Sequence, residues 1–156
     1  MPSDACQLNI LRVVVGPFLT ITTRFLEFNK AQLIMSTMEK TDYVLKDEAM
    51  NFAIRIVNLY KYLVEKDEFV MSKQVLRSGT SIGANYAEAL KAESPNDFIH
   101  KLSISRKEGE ETLYWLELLF RTEYITEKQY LSIKSDCEQI QKMLTSSILT
   151  VLKKNK

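Results

Sequence analysis

One stretch of the chain, residues 72–92 (SKQVLRSGTSIGANYAEALKA), constrains the fold most, because its small residues recur at helical spacing. Gly79, Gly83 and Ala87 are four residues apart, so they would share one face of a helix. A glycine inside a helix costs about 1 kcal/mol relative to alanine, so two of them there need compensation from packing or function. We therefore predict a helix whose small face lets a neighbouring helix approach closely.

Few residues in the rest of the chain would interrupt a helix. The 156 residues are 46% hydrophobic and 26% charged, which is typical of a globular chain of one domain. There are only four glycines and three prolines, and two of the prolines, Pro2 and Pro17, lie near the N-terminus. The composition therefore predicts an all-α fold.

Apolar periodicity and capping signals divide residues 47–156 into four helices. The first covers residues 47–65, and its seam consists of Phe52, Ile56, Leu59 and Leu63, with further apolar residues on its other sides. Ser72 is the expected N-cap of the second helix, Ser94 with Pro95 and Asp97 starts the third, and the capping box Thr126–Gln129 starts the fourth.

The seams of the last two helices follow the same spacing rules. The third helix offers Phe98, Leu102, Ser105, Gly109, Leu113, Leu116 and Phe120, and the fourth offers Tyr130, Ile133, Cys137, Ile140, Leu144, Ser147 and Val151. Ser105 and Gly109 are small enough to receive the small face of the second helix. Short connections between four such helices predict an antiparallel up-down-up-down four-helix bundle.

Residues 72–92 also resemble a known family. The resemblance continues through Asp97-Phe98-Ile99 and Lys101–Ser105, with Glu108, Glu111, Thr112, Tyr114 and Trp115-Leu116. This pattern, from about Asp47 to Leu119, resembles the four-helix bundle proteins named after rRNA intervening sequences. The resemblance implies a ring-like homopentamer, related to retroelement accessory proteins that are thought to bind nucleic acid.

The N-terminal residues lie outside this resemblance. We expect residues 1–38 to be an extension, either disordered or an upstream read-through of the gene, and residues 39–156 to form the bundle domain. The longest uncharged run in the extension, residues 13–23, has 11 residues and is too short to span a bilayer. With only two cysteines, Cys6 and Cys137, the chain has no disulfide framework, so a cytoplasmic location without membrane contact is expected.

The sequence offers little for catalysis, so we predict a protein that is not an enzyme and has no cofactor, metal site or catalytic residue. His100 is the only histidine, which excludes the paired Glu-x-x-His motifs of di-iron bundles. Polar positions within the family-like motifs are instead expected to form a structural hydrogen-bonded network: Ser81, Asn85, Glu88, Glu108 and Glu111. A carboxylate pair doing acid–base chemistry is the alternative for the glutamates.

Three basic residues of the second helix, Lys73, Arg77 and Lys91, lie within about 40° of one another, and we call them the basic strip. They are the expected nucleic-acid contacts, repeated around a ring of protomers. Tyr114, Trp115 and Phe120 could stack bases or pack in the core. Residues 39–156 carry 18 basic and 18 acidic residues, which favours the other hypothesis, a scaffold that binds a protein partner and no nucleic acid.

Overall fold

The computed structural model describes residues 43–154, with side chains to Lys153. These residues form four helices: α1 (43–64), α2 (Met71–Ala89), α3 (Pro95–Arg121) and α4 (Glu127–Lys154). No strand occurs among them, so the all-α prediction is confirmed for this part of the chain. The expected N-terminal extension lies outside the described residues.

A single apolar core runs between the helices. The predicted seam of α1 is confirmed, since Phe52, Ile56, Leu59 and Leu63 are all buried. In α4 the predicted positions 133, 137, 140 and 144 are buried, and Ile148 continues the seam where Ser147 was expected. The helices are thus held by the interior that the sequence periodicity indicates.

The buried stripe of α3 differs from its predicted seam in the second half of the helix. Leu102, Ser105, Gly109 and Leu116 are buried as expected, but Thr112 and Leu119 are buried in place of Leu113 and Phe120. The observed spacing of 3, 4, 3, 4 and 3 is a heptad-like pattern, which follows the left-handed twist of helices packed side by side. The predicted pattern contained two successive steps of four, which shift the predicted seam by one residue in the second half of the helix.

Helices α2 and α3 pack antiparallel through small hydroxyl side chains. Ser105 Oγ donates to the Ile82 carbonyl oxygen at 2.8 Å, and Thr112 Oγ1 lies 3.0 Å from Ser78 Oγ. From Ser105 to Thr112 the chain of α3 advances, while the partner in α2 goes back from Ile82 to Ser78. The two helices therefore run in opposite directions. Because buried hydroxyls must find partners, these bonds also fix the register of the two helices.

The glycines of α2 face α1, so the predicted contact between the small face and α3 is wrong. A Cβ atom at Gly79 would lie 2.8 Å from Ile56 Cγ1, and one at Gly83 would lie 3.5 Å from the Ala49 carbonyl oxygen. Ala87 is exposed. Gly109 of α3 meets α4 instead, where a Cβ atom would collide with the side-chain amide of Gln141.

The helix caps confirm two predictions and correct one. Ser94 Oγ accepts a hydrogen bond from Asp97 N at 3.1 Å, and Thr126 and Gln129 form the expected capping box. Ser72, by contrast, lies inside α2 and does not cap it. Glu68 performs that role, because its carboxylate accepts hydrogen bonds from the backbone N–H groups of Val70, Met71 and Ser72 at 2.9, 2.8 and 2.5 Å.

Candidate nucleic-acid interface

Two residues of the basic strip, Lys73 and Arg77, lie on the solvent side of α2, whereas Lys91 lies in the turn after α2 ends at Ala89. Lys73 and Lys91 are exposed, and the Arg77 side chain retains 55% of its accessible surface. Counted at about 1.5 Å per residue, Lys73 and Lys91 are roughly 27 Å apart. The strip therefore extends past the end of α2 and does not form a compact patch.

Arg77 is not a free cation. Its guanidinium forms an ion pair with Glu108 at 3.6 Å and a closer one with Glu111, both on α3. Trp115 Nε1 donates a hydrogen bond to the same Glu111 oxygen at 3.2 Å. We call these four residues the Arg77 cluster.

Within this cluster, Arg77 and Glu111 favour each other's charged form. The hydrogen bond from Trp115 and then that from Arg77 lower the pKa of Glu111. The hydrogen bond to Glu111, together with its charge, raises the pKa of Arg77. Both groups are consequently charged at neutral pH, and the ion pairs of Arg77 with Glu111 and Glu108 join α2 to α3.

A second cross-helix pair lies toward the other end of the same two helices. Lys101 Nζ of α3 is 2.5 Å from Glu88 Oε2 of α2. This hydrogen bond, with the charge of Glu88, raises the pKa of Lys101. Asn85 is bound locally, since its Nδ2 donates to the Ser81 carbonyl oxygen one turn earlier at 2.8 Å.

The five expected network residues therefore fall into separate groups. Glu108 and Glu111 belong to the Arg77 cluster, Glu88 pairs with Lys101, and Asn85 bonds to the backbone of Ser81. The glutamates all bind cations on the opposite helix, which is the arrangement of a register-fixing contact. Acid–base chemistry gains no support from this geometry, because a general acid requires a raised carboxyl pKa and the pKa of Glu111 is lowered.

After these pairings, two cations of the strip remain uncompensated. Within the described part of the chain, neither Lys73 nor Lys91 forms an ion pair, and both side chains are exposed. Arg77 and Lys101 carry two positive charges against the three carboxylates of Glu88, Glu108 and Glu111, so the paired groups leave a formal charge of −1. Any attraction of this face for phosphates thus comes from the two lysines.

The three aromatic residues of α3 that could stack bases, Tyr114, Trp115 and Phe120, are divided between the interior and the surface. Phe120 is half-buried and stacks on Tyr130 of α4, with ring centroids 4.9 Å apart and planes 4° apart. Trp115 is also half-buried, whereas Tyr114 is 60% exposed. Of the three aromatic residues, Tyr114 is the one available to a ligand.

The outer face of α1 is unusually apolar. Met50 is 60% exposed and Ile54, one turn further along, is 52% exposed, while Tyr43 lies one heptad before Met50 on the same side. Large apolar side chains exposed in succession mark contact surfaces in many proteins. This agrees with the sequence pattern of a first helix that is apolar on more than one side.

The groups with catalytic or metal-binding potential are dispersed. His100 is exposed, and Cys137 is fully buried, where burial raises the pKa of its thiol to about 12. Across residues 43–154, no three side chains of the metal-ligating types converge on a common point. None of the helices in this range has the length and apolar composition needed to cross a membrane.

Several contacts were not anticipated from the sequence. Arg55 of α1 binds Asp136 and Ser132 of α4, Lys101 neutralises Glu88, and the Trp115 indole holds Glu111. These partners are between 4 and 81 residues apart in the chain. For Trp115 the i, i+4 spacing to Glu111 was a usable signal, but the partners of Arg55 and Lys101 depend on helix register.

Comparison with known proteins gives a family match and a match to a solved structure. The family described as 23S rRNA-intervening sequence protein matches residues 41–146. A 1.70 Å crystal structure of a protein with unknown function from the S23 ribosomal protein family, from Bacteroides thetaiotaomicron VPI-5482, is 63% identical with a TM-score of 0.69. That match covers 69% of this chain and 97% of the other chain. The search of curated proteins found no match.

Proposed function

Since this chain belongs to the 23S rRNA-intervening sequence protein family, we propose that it is a homo-oligomeric four-helix bundle, without enzymatic activity, that binds structured RNA or DNA. The nucleic acid contacts repeated copies of the basic strip. One observation carries the proposal: Lys73 and Lys91 are exposed and free of ion pairs, among the described residues, whereas Arg77 and Lys101 are paired with carboxylates.

Repetition is essential to this function because one protomer contributes so little charge. Two lysines roughly 27 Å apart contact few phosphates, and each such contact adds only a modest increment of affinity. Several copies held in one assembly act as a multivalent surface, in which the second and later contacts are intramolecular. The family resemblance implies five copies in a ring, and the exposed Met50 and Ile54 of α1 supply an apolar surface for the contact between them.

The proposed location is a reducing cytoplasm. Cys137 is a free thiol in the interior of the bundle, which suits a compartment without disulfide formation.

A protein-binding scaffold is the second candidate function. The balance of 18 basic and 18 acidic residues in residues 39–156 favours it, since strong nucleic-acid binders usually carry a basic excess. The pairing of Arg77 and Lys101 with carboxylates favours it for the same reason. In that case the exposed apolar face of α1 would receive a different protein.

A salt titration separates the two functions. The oligomer mass is first measured by light scattering, with about five times the chain mass of 18.1 kDa expected. Filter binding of structured RNA and of duplex DNA is then followed from low to physiological salt. Lys73→Ala/Lys91→Ala should weaken binding across unrelated sequences and flatten the salt slope by about 0.9 for each phosphate that the variant no longer neutralises.

The matched control is Lys61→Ala/Lys128→Ala, which removes two exposed charges outside the strip. This variant should leave the salt dependence of nucleic-acid binding closer to that of the unsubstituted protein. Equal losses in the two double variants would show that the strip has no special role. Absence of binding to either nucleic acid at low salt, where attraction is strongest, would favour the protein scaffold.

A further inference from the structure

A cavity on α3 lies apart from the basic strip. Tyr114, Glu117, Leu118 and Arg121 line a space of about 250 Å³. Their spacing of i, i+3, i+4 and i+7 places them on one face of the helix. The cavity therefore opens on the solvent side of the last two turns of α3, and none of its lining residues belongs to the Arg77 cluster.

The aromatic wall of the cavity is held in place by its neighbours. The rings of Tyr114 and Trp115 meet at 74° with centroids 5.1 Å apart, in an edge-to-face contact. Trp115 is itself anchored by its hydrogen bond to Glu111. Tyr114 thus combines a fixed position with 60% exposure, and an exposed aromatic ring of this kind is a surface on which a ligand can pack.

The opposite wall carries a planar cation. Arg121 Nη2 is 2.5 Å from Glu117 Oε1 one turn earlier, and the arginine side chain is 72% exposed. The ion pair limits the orientations of the guanidinium while leaving much of its surface accessible. An arginine plane and a tyrosine ring are two groups on which nucleobases stack.

We propose that this cavity binds a single unpaired nucleobase, stacked on Tyr114, with Arg121 contacting the base plane or the adjoining phosphate. The inference rests on the proposed function, because it assigns the part of the nucleic acid that the oligomer prefers. Base pairs of a duplex are stacked on one another and cannot enter, so loops, bulges and single strands would be favoured. The lysines of the strip then supply affinity, and this cavity supplies the preference for unpaired bases.

The size and surroundings of the cavity favour a base over a protein partner. A volume of about 250 Å³ lies just below the range of about 300–1,000 Å³ of typical ligand sites and suits one planar heterocycle. The same face continues toward the N-terminus with Lys107 and Glu110, both exposed, so the apolar surface ends at the cavity on that side. A stable protein interface needs a much larger contiguous area.

The test uses an RNA strand with one 2-aminopurine in a loop, and the same strand annealed to its complement. The unsubstituted protein should quench the loop fluorophore and bind the looped RNA more tightly than the duplex. Tyr114→Ala should weaken binding of the looped RNA by about fivefold to a hundredfold and leave the duplex affinity unchanged. Tyr114→Trp should retain the binding, and Arg121→Lys should lose part of it, because lysine keeps the charge without the plane.

Phe69→Ala is the matched control, because Phe69 is a 49% exposed aromatic residue between α1 and α2 and lies outside the cavity. If Tyr114→Ala and Phe69→Ala behave alike while Lys73→Ala/Lys91→Ala still flattens the salt slope, the base site is refuted and the proposed function stands. If Tyr114→Ala changes the oligomer mass instead, the face is a contact between copies, and the base site is again refuted.

A second readout does not depend on the proposed function. Trp115 is the only tryptophan of the chain, so its indole N–H gives one NMR signal beside the cavity. Titration with guanosine monophosphate should shift that signal in the unsubstituted protein and not in Tyr114→Ala. An unshifted signal at millimolar nucleotide would overturn the base site, whether or not the oligomer binds longer nucleic acids.

Discussion

Replacing Gly79 and Gly83 by alanine, one at a time, measures how closely α1 and α2 approach. Both changes remove a helical glycine, which is worth about 1 kcal/mol of stabilisation. At position 83 the new Cβ atom would lie 3.5 Å from the Ala49 carbonyl oxygen, which is an ordinary contact. Gly83→Ala should therefore raise the free energy of unfolding by up to about 1 kcal/mol.

Position 79 should respond in the opposite direction. The new Cβ atom would lie 2.8 and 2.9 Å from Ile56 Cγ1 and Cγ2, well inside the range of about 3.5–4.0 Å at which carbon contacts are favourable. These atoms branch from Cβ of a fully buried side chain and cannot swing aside. Overpacking of this kind costs about 1–3 kcal/mol, so the net loss for Gly79→Ala is about 0–2 kcal/mol.

Urea unfolding measures both changes, and the protein concentration is held fixed because the stability of the proposed oligomer would depend on it. A difference of about 1 kcal/mol corresponds to a shift of about 2–8 °C in the thermal midpoint. Equal stabilisation by the two alanines would refute the close contact at Gly79.

A double-mutant cycle identifies the partner of Gly79. Ile56→Ala alone should cost about 2–5 kcal/mol, because it leaves a cavity in the core. The methyl group that Gly79→Ala introduces would occupy part of that cavity, so the combined variant should be more stable than the sum of the single changes. Additive effects would show that Gly79 and Ile56 are not in contact.

Two further predictions concern the caps and the core. Burial opposes the charged form of Glu68, but its hydrogen bonds from backbone N–H groups together outweigh that effect and lower its pKa. The contribution of Glu68 to stability is therefore present above the unfolded pKa of about 4.3 and lost as pH falls through the folded value. Glu68→Gln should thus cost about 0.5–2 kcal/mol at about pH 7 and less below about pH 4, as urea unfolding at both values would reveal. Burial raises the pKa of the Cys137 thiol to about 12. At about pH 8 the thiol should therefore react with a disulfide reagent about a thousandfold more slowly in the folded protein than in urea. Comparable rates would contradict the buried position.

Local signals in the sequence predicted much of the fold. The α1 seam, the Ser94 cap and the Thr126–Gln129 box depend on residues within a few positions of one another, so periodicity and capping rules are sufficient. The partner of the α2 glycines was not predictable in this way. Spacing shows that Gly79 and Gly83 share a face, but it does not show which neighbouring helix that face meets.

The Glu68 cap escapes prediction for a different reason. Serine, as at position 72, is among the residues preferred at N-caps, whereas glutamate, as at position 68, is not. In the structure the loop after α1 turns at Asp67, whose φ angle is 61°, and this brings the Glu68 carboxylate under the first turn of α2. The longer side chain can reach three N–H groups, and its negative charge is favourable at a helix N-terminus.

The sequence predicted that the basic residues of the site are exposed, but not which of them forms an ion pair. Helical spacing placed Lys73, Arg77 and Lys91 on one side of the predicted second helix, and all three are exposed, although α2 ends before Lys91. Whether each keeps its charge free depends on α3, and the partner Glu111 is 34 residues away from Arg77 in the chain. The hydrogen bonds of Ser105 and Thr112 set the register of α2 and α3, and this register determines which cation meets a carboxylate.

This neutralisation links the packing of the helices to the way the protein would bind nucleic acid. The hydroxyl bonds that set the register of α2 and α3 also bring Arg77 to Glu108 and Glu111. The strip thereby loses Arg77 as a free cation, and the remaining lysines lie in the first turn of α2 and just beyond its end. Two distant charges give a single protomer weak and sequence-independent attraction for phosphates. Affinity must then come from the number of copies, and any discrimination between targets must come from groups that touch bases, of which the exposed Tyr114 on α3 is the one we propose.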